Sequence, residues 1–304
     1  MDIKYLINKD IDKEKWDNTI RISSNGNLYG LSWYLDTVCP KWSALISEDY
    51  KYIMPLTGNK KFGFNYLFRP LLSQQLGLFS TSPSDTNAIA EFLASIPSKY
   101  RLIQYCLNKS NTPPDIFHPI NHKSFELDLG TEYEVLKSGY SENHRRNIKK
   151  AEKQEGQIRE NISHYDFIES LLKDNSPGSK ILAGKKNLPL LRRLLEAMHS
   201  QKAIRIIGKT NNENKLISAV LFGHSHDTWY YLAPVNSEEG KKSRALFSII
   251  DYLIRSQSGL TEILDFEGSN IPGLAQFYRG FGSRQISYPE IRINRLPWPI
   301  NYLK

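Results

Sequence analysis

The segments AIRIIGK (203–209), KLISAVLFG (215–223) and TWYYLAP (228–234) decide the fold. Each is short and rich in β-branched and aromatic residues, and polar residue pairs at 211–212 and 226–227 separate them. Consecutive strands joined by tight polar turns pair in an antiparallel way. The sequence therefore predicts a three-strand antiparallel meander in the second half of the chain.

The segments on either side of this meander alternate between helical and strand periodicity. Before it we expect a long helix, a strand and two further helices, at 131–154, 157–162, 164–173 and 187–201. After it we expect a helix, a strand, a helix and a last strand, at 241–256, 262–268, 271–280 and 285–292. The second half is thus a mixed α/β unit.

The first half shows the same order of elements. Helices are expected at 10–22 and 32–38, and strands at 42–47, 50–56 and 62–68 form a second antiparallel meander. A helix capped by Ser84-Asp85 runs through Ile96, and strands follow at 101–107 and 124–129. This echo predicts two copies of one unit, with a first domain at 1–130 and a second at 131–304.

The composition is that of a globular protein, with an excess of positive charge. The 304 residues include 40 Lys and Arg against 32 Asp and Glu, which gives a formal charge of +8. This charge favours an anionic partner such as a CoA phosphate, RNA or a nucleotide sugar, although it also fits simple solubility.

Several classes of protein are excluded. The longest apolar stretches, 243–254 and 216–222, are shorter than the roughly 20 residues that a membrane span needs, and the charged N-terminus is unlike a signal peptide, so we expect a cytoplasmic protein. We expect Cys39 and Cys106 to be reduced and to serve as packing residues. The histidine pairs 224/226 and 118/122 lack a third ligand, so we expect no metal. No Walker A, Rossmann or Gly-x-Ser-x-Gly motif is present.

The ordered set SENHRRNIKKAEKQEG (141–156), TWYYLAPVN (228–236), SRALFSIIDYLI (243–254), DFEGS (265–269) and FYRGFG (277–282) resembles the FemAB-like, GNAT-related acyltransferases. The resemblance implies an α+β protein with two tandem GNAT-like domains, whose mixed, mostly antiparallel sheets are flanked by helices. It also implies transfer of an acyl or aminoacyl group to an amine. The donor is acyl-CoA in most GNAT proteins and aminoacyl-tRNA in the branch that builds peptidoglycan cross-bridges.

A candidate phosphate site precedes the helix expected at 241–256. Backbone amides at a helix N-terminus with cationic neighbours bind anions, which makes acyl-CoA a candidate co-substrate, although no tightly bound cofactor is expected. The family fingerprint Gln/Arg-x-x-Gly-x-Gly/Ala overlays on 237–242 with Ser237 in the first position and Lys242 in place of a small residue. A solvated basic helix start is the alternative. The residues of the candidate site are Gly240, Lys241, Lys242, Ser243 and Arg244.

A second cationic feature lies on the helix expected at 131–154. Arg145 and Lys149 are one helical turn apart, and Arg146 and Lys150 form the adjacent row. Such a stripe suits the phosphates of tRNA or a pyrophosphate, and a solvated helix face is the alternative. Arg145 and Arg146 are therefore candidate substrate-binding residues.

Two carboxylates end the strand expected at 262–268. Strand alternation would point Asp265 and Glu267 the same way, and either could accept a proton from an attacking amine or cap the next helix. Tyr230 and Tyr231 lie on opposite faces, so at most one of them joins a cleft, where it could protonate a leaving group. Tyr278 is a candidate substrate-binding residue of the same cleft.

Polar side chains interrupt the apolar run at 69–80. The resemblance implies that Arg69, Gln74 and Gln75 hold the acceptor, which is a small-molecule, peptide or glycan amine, and a loop that satisfies its own backbone is the alternative. The expected function is acyl or aminoacyl transfer to that amine. The alternatives are an inert GNAT-like scaffold that binds an anionic ligand or protein, and an RNA-binding module.

Overall fold

The computed structural model describes residues 1–82, 86–268 and 270–298. The chain forms two compact units. Unit 1 consists of residues 1–122 and 287–304, and unit 2 consists of residues 123–286. The predicted helix cap at Ser84-Asp85 lies outside the described residues.

Unit 1 contains two groups of strands. Helices α1 (Lys13–Ile22), α2 (Ser32–Val38) and α3 (Thr86–Ala94) accompany them. The first group, in the order β1-β2-β3-β6, consists of β1 (Ile3–Ile7), β2 (Ser43–Ser47), β3 (Tyr52–Leu56) and β6 (Phe79–Ser80). The second, in the order β4-β5-β7-β14, consists of β4 (Gly58–Lys61), β5 (Phe64–Leu67), β7 (Tyr100–Cys106) and β14 (Arg284–Asn294).

Unit 2 has one sheet with helices around it. The strand order is β8-β13-β12-β11-β10-β9, with β8 (Ile120–Asp128), β9 (Ile158–Arg159), β10 (Ile204–Thr210), β11 (Leu216–Ser225), β12 (Thr228–Asn236) and β13 (Ile263–Asp265). The predicted meander is β10-β11-β12, which pairs antiparallel throughout. The helices are α4 (Tyr133–Ser138), α5 (Glu142–Glu152), α6 (His164–Lys173), α7 (Pro177–Leu182), α8 (Asn187–Ser200), α9 (Glu238–Lys242), α10 (Ala245–Gln257) and α11 (Pro272–Arg279).

The meander is buried on both faces. Val220 and Phe222 of β11 join the apolar core under α10 and α5, whereas Leu221 between them is equally buried but belongs to the other face. Helices α6 to α8 pack on these strands as well. Because side chains alternate along a strand, the two sets of helices cover opposite faces. The α+β class with mixed, mostly antiparallel sheets is confirmed.

The strands expected at 157–162 and 262–268 are shorter in the structure, as Ile158–Arg159 and Ile263–Asp265, and three other predicted elements are organised differently. The strand expected at 62–68 does not complete a meander with β3, because β5 pairs with β4 and runs parallel to β7. The helix expected at 131–154 is two helices, since Ser141 caps α5 and ends the continuity with α4. The helix expected at 241–256 breaks at Arg244, whose φ of 62° is left-handed.

The unit boundaries also differ from the predicted 1–130 and 131–304. Lys123–Gly130 belongs to unit 2, because the second half of β8 pairs with β13. The segment from Ser287 onward belongs to unit 1, because Glu290–Asn294 of β14 pairs with β7. Among the described helices, none is both long enough and apolar enough to cross a bilayer.

Candidate active site

The strands β12 and β13 of unit 2 separate after a short parallel contact. Thr228–Tyr230 pairs with Ile263–Asp265, where β13 ends, while β12 continues to Asn236. Pro234, which has no N–H group, lies in this extension, and proline is tolerated where a strand lacks a neighbour. The N–H of Asn236 donates to Asp174 Oδ2 at 3.2 Å. On the side of β13, β12 therefore has no strand partner among the described residues beyond Tyr230, and we call this divergence the opening between β12 and β13.

Asp265 closes the end of β13 as a buried hydrogen-bond acceptor. Its side chain is 4% exposed, and its Oδ1 accepts from the Ser124 hydroxyl at 3.0 Å and from the Glu267 N–H at 2.8 Å. These bonds hold the carboxylate against β8 and fix the start of the following turn. Asp265 is thereby placed to position Glu267.

Glu267 lies on a left-handed turn and not on the strand. Its φ is 61°, and that of Gly268 is 58°. A Cβ on Gly268 would overlap Lys123 O and the Ser124 backbone, so only glycine allows the turn to approach β8 so closely. The prediction that Asp265 and Glu267 point the same way from one strand was wrong, because β13 ends at Asp265. Glu267 is the partly exposed member of the pair.

Two tyrosines of an aromatic cluster lie behind Glu267. Tyr278 stacks on Phe266 with ring centroids 5.1 Å apart, and Tyr231 meets Tyr278 edge-on at 5.9 Å. Burial, followed by the nearby charge of Glu267, raises the pKa of Tyr278 to about 12. Burial also raises the pKa of Tyr231. Both phenols thus stay protonated at neutral pH. Tyr230 is buried opposite Asp265 and, by strand alternation, faces away from this cluster.

The predicted phosphate site at 240–244 uses its amides within the protein. Ser237 caps α9, its hydroxyl accepting from Gly240 N–H at 3.1 Å and its carbonyl from Lys241 N–H at 2.9 Å. Ser243 N–H donates to Glu239 O at 2.9 Å, and Arg244 N–H donates to Lys241 O at 3.2 Å. These amides do not form an open anion cradle.

The side chains at the α9–α10 junction have mixed roles. A Cβ on Gly240 would overlap Ile217 O and Asn236 Oδ1, so the glycine is required by packing against β11 and β12. Lys241 pairs with Glu238 at 2.6 Å. Lys242 and Arg244 are exposed and form no ion pair with the residues that the structure describes.

Helix α5 presents its cations to solvent. Arg145, Arg146, Lys149 and Lys150 are exposed, and no carboxylate of the described residues lies within 4 Å of them. They form a continuous positive face, since residues four apart lie on one side of a helix. We call these four residues the α5 cation face.

His144 anchors this helix and was missed by sequence reasoning. Its Nε2–H donates to Phe277 O at 2.8 Å, and its Nδ1 accepts from the Ser141 hydroxyl at 2.9 Å. The ring packs against Phe281 at 4.6 Å, and burial lowers its pKa. The neutral ring joins α5 to α11. The helical spacing from His144 to Ile148 and Ala151, all buried, was the available signal.

The predicted acceptor residues of unit 1 have their own partners. Gln75 is buried, donates from Nε2 to Gln74 Oε1 at 2.8 Å and accepts from Lys109 N–H at 2.8 Å. Gln74 is buried too, and Arg69 is exposed. The glutamines therefore brace their loop against residue 109. In the described part of the chain, no three His, Cys, Asp or Glu side chains are grouped to hold a metal ion.

No protein-family model matches the chain, and no curated protein matches its sequence. Its fold is nevertheless similar to solved structures. FemX is 11% identical, and the match covers 96% of this chain and 97% of FemX with a TM-score of 0.66. L-PGS from Bacillus licheniformis is 12% identical, with 95% and 94% of the two chains covered and a TM-score of 0.57.

The C-terminal domain of a putative lysylphosphatidylglycerol synthetase from Agrobacterium fabrum is also similar. It is 10% identical, with 94% and 92% coverage and a TM-score of 0.56. At these identities the likeness concerns the fold. The chain shares the fold of FemX and of these two proteins over nearly its whole length, which confirms the FemAB-like resemblance at the level of the fold.

Proposed function

We propose that the chain transfers an aminoacyl or acyl group from an activated donor to an amine at the opening between β12 and β13. The observation that carries this proposal is the early end of β13 beside Glu267 and Tyr278, while β12 continues to Asn236 without β13. An unpaired strand edge next to a carboxylate and a phenol provides what amide formation needs. The name of one structural neighbour, a putative lysylphosphatidylglycerol synthetase, points to the same class.

The reaction joins an amine nitrogen to the donor carbonyl carbon. The nitrogen attacks, the C–N bond forms, and the bond from that carbon to the donor oxygen or sulfur breaks. The amine must lose a proton, and Glu267, partly exposed on its left-handed turn, is placed to accept it. Asp265 acts through Glu267, since its carboxylate holds the Glu267 N–H. Asp265 is a positioning residue in this scheme.

The leaving oxygen or sulfur and the carbonyl oxygen need donors. With its pKa raised to about 12, Tyr278 keeps its proton at neutral pH and delivers it to the leaving atom, and Glu267 returns a proton to the phenolate. Backbone N–H groups of β12 beyond Tyr230, the last residue paired with β13, stabilise the developing oxyanion in this scheme. Tyr230 has no role in this scheme because it faces the other way.

For the donor, we favour aminoacyl-tRNA over acyl-CoA. The amides of Gly240, Lys241, Ser243 and Arg244 are used inside the protein, so these four N–H groups are not available to a pyrophosphate. The α5 cation face, in contrast, is exposed and lacks counter-ions among the described residues, which suits a polyanion. Lys242 and Arg244 add two exposed cations at the end of α9. The acceptor is a small-molecule, peptide or glycan amine.

A non-catalytic role is the second candidate. The packing requirement at Gly240 and the internal use of Gln75 and Asp265 show that several predicted site residues have structural functions. A GNAT-like scaffold that binds RNA or another anion through the α5 cation face would need no base at Glu267. The two candidates therefore differ in what Glu267 does.

The test measures donor use and then the role of Glu267. Thermal shifts with acetyl-CoA, longer acyl-CoAs and charged tRNA identify the donor, because a ligand at about 100 times its Kd adds roughly 2.7 kcal/mol of stability. Transfer of a radiolabelled aminoacyl group to amine acceptors then measures turnover. We expect Glu267→Gln to slow transfer about 10²–10⁴-fold, whereas the exposed control Glu213→Gln leaves it unchanged.

The outcomes separate the two candidates. Turnover that survives Glu267→Gln within about twofold removes Glu267 from the mechanism, since a general base contributes at least about 10²-fold. Binding of uncharged tRNA without transfer to any amine would favour the non-catalytic scaffold. A stabilising shift with an acyl-CoA and none with charged tRNA would replace the favoured donor.

A further inference from the structure

A second cavity lies in unit 2, away from the opening between β12 and β13. Its volume is about 230 Å³, and it sits between α5, α10 and the strands β9 and β10. Ile148 and Ile158 provide an apolar part of the wall. The polar part consists of Glu152, Lys209, Ser248, Asp251, Tyr252 and Arg255. None of these residues takes part in the proposed transfer reaction.

Lys209 is a buried cation that forms no ion pair with a residue that the structure describes, although the charge of Glu152 reaches it. It is 4% exposed, and its ammonium donates to Ala151 O at 2.6 Å. No carboxylate of the described residues lies within the 4 Å of an ion pair, and burial lowers the pKa of the amine. Two of the three ammonium protons are left for other acceptors. Because a buried charge is costly unless it is paired, the cavity offers a place for an anion.

Asp251 supplies the opposite charge on another wall of the same cavity. It is 4% exposed and accepts from the Tyr133 hydroxyl at 2.9 and 3.0 Å. Burial raises its pKa, while Arg255 approaches Oδ2 only to 3.7 Å. The Tyr133 and Tyr140 hydroxyls both lower that pKa, and the two carboxylate oxygens still offer lone pairs to a further donor. Ser248, whose hydroxyl donates to Ala245 O at 2.9 Å, can also accept.

The size and the charge of the lining restrict the ligand. The volume is below the roughly 300–1,000 Å³ of pockets for drug-sized ligands, so a nucleotide does not fit. Two cations and two carboxylates line the wall, which gives no net preference for an anion or a cation. A ligand that carries both a positive and a negative charge matches this wall better than one that carries a single charge.

We propose that this cavity binds a free small α-amino acid in its zwitterionic form, with the carboxylate on Lys209 and the ammonium on Asp251. The site is independent of the proposed transfer reaction, because the two share no residue. Ile148 and Ile158 leave room for a short side chain, so glycine, alanine and serine are the expected ligands.

The experiment uses the full chain and isothermal titration with glycine, L-alanine and L-serine. Propionate and ethylamine serve as probes that carry only one of the two charges. We expect Kd values in the millimolar range or below for at least one amino acid, and at least tenfold weaker binding of both single-charge probes. Lys209→Met and Asp251→Asn should each weaken amino-acid binding by at least tenfold, whereas the exposed control Lys185→Met should not.

The variants distinguish an effect on folding from an effect on amino-acid binding. Lys209→Met replaces an unpaired buried cation by an apolar chain of similar length, so its Tm should equal or exceed that of the wild type. If it fails to fold, Asp251→Asn and the probe comparison on the wild type still decide. Glu267→Gln should bind the amino acid normally, which separates this site from the transfer site. Absence of binding up to about 10 mM, or equal affinity for propionate and L-alanine, would overturn the proposal.

Discussion

Helices α5 and α9 begin with the same local signals and serve different purposes. Each starts at a serine cap, Ser141 or Ser237, whose hydroxyl accepts an N–H from the residue three positions on, at 3.2 and 3.1 Å. In both, acidic residues in the first turn are followed by lysines in the last. From sequence, both were candidates for anion binding.

The difference comes from the buried residue that lies three positions after each serine cap. In α5 this is His144, a large neutral ring that fixes the helix to α11 and leaves the cations outside. In α9 it is Gly240, whose lack of a side chain lets the helix pack closely against the Ile217 backbone. Cap and charge signals thus determine where a helix begins, and the buried position determines whether its surface is free to bind.

The largest expected effect concerns the packed helix start. Gly240→Ala should lower the free energy of unfolding by about 2–3 kcal/mol, because its Cβ overlaps two fixed oxygen atoms. Urea unfolding measures the loss. Gly178→Ala in α7, where the added Cβ has nothing within 4 Å, should be neutral or slightly stabilising. A Gly240→Ala protein as stable as the wild type but impaired in donor binding would restore the phosphate-site prediction.

The next effect concerns the exposed helix start. The double variant Arg145→Glu, Arg146→Glu should weaken tRNA binding at least about tenfold and flatten its salt dependence, because phosphate contacts release counter-ions. The matched double variant Lys241→Glu, Lys242→Glu should change binding less, since Lys241 already pairs with Glu238. Filter binding at several salt concentrations measures both. Equal losses in the two variants would contradict the distinction between the two helices.

A smaller effect compares the two caps directly. Ser237→Ala removes one capping bond, which costs about 1 kcal/mol. Ser141→Ala removes the cap and the hydroxyl that donates to His144 Nδ1, so we expect a larger loss of about 1–2 kcal/mol. Thermal unfolding of the two variants measures the difference. Equal costs would mean that the Ser141 bond to the ring adds no stability.

The smallest expected effect is a pH dependence that arises from His144. Burial lowers its folded-state pKa, so the unfolded chain binds a proton more readily than the folded protein does. The stability from the neutral ring is complete above the unfolded pKa of about 6.5 and is lost as pH falls toward the lower folded value. His144→Gln should flatten the stability curve between pH 7 and 5. An unchanged slope would show that other groups dominate.

Much of the fold followed from local signals in the sequence. The bounds predicted for α2 and α6 coincide with the structure, because each has a clear cap or breaker and an amphipathic stripe. The parallel pairing of β5 with β7 had no local signal, since it joins segments more than 30 residues apart. The left-handed break at Arg244 was equally invisible, because arginine rarely adopts a positive φ.

The proximity of some candidate residues had a signal in the sequence, whereas their geometry had none, and their roles stay predictions. The sequence indicated Asp265, Glu267 and Tyr278, and the structure groups them at the end of β13. Their separate roles depend on where β13 stops and on the contact of Gly268 with Lys123 O. Such contacts between distant segments are set by packing, which a periodicity argument does not reach. No sequence motif indicated the cavity at Lys209.

Unit 1 is formed from two segments that unit 2 separates in the sequence, and this has a consequence for synthesis on the ribosome. The part of β14 that pairs with β7, Glu290–Asn294, is translated only after all of unit 2. The contiguous residues 123–286 can therefore fold while β7 of unit 1 still lacks the strand that pairs with it. A stop codon near residue 286 would therefore leave every residue of unit 2 in place and remove a segment of unit 1. A C-terminal truncation would in this case damage the unit whose synthesis begins first.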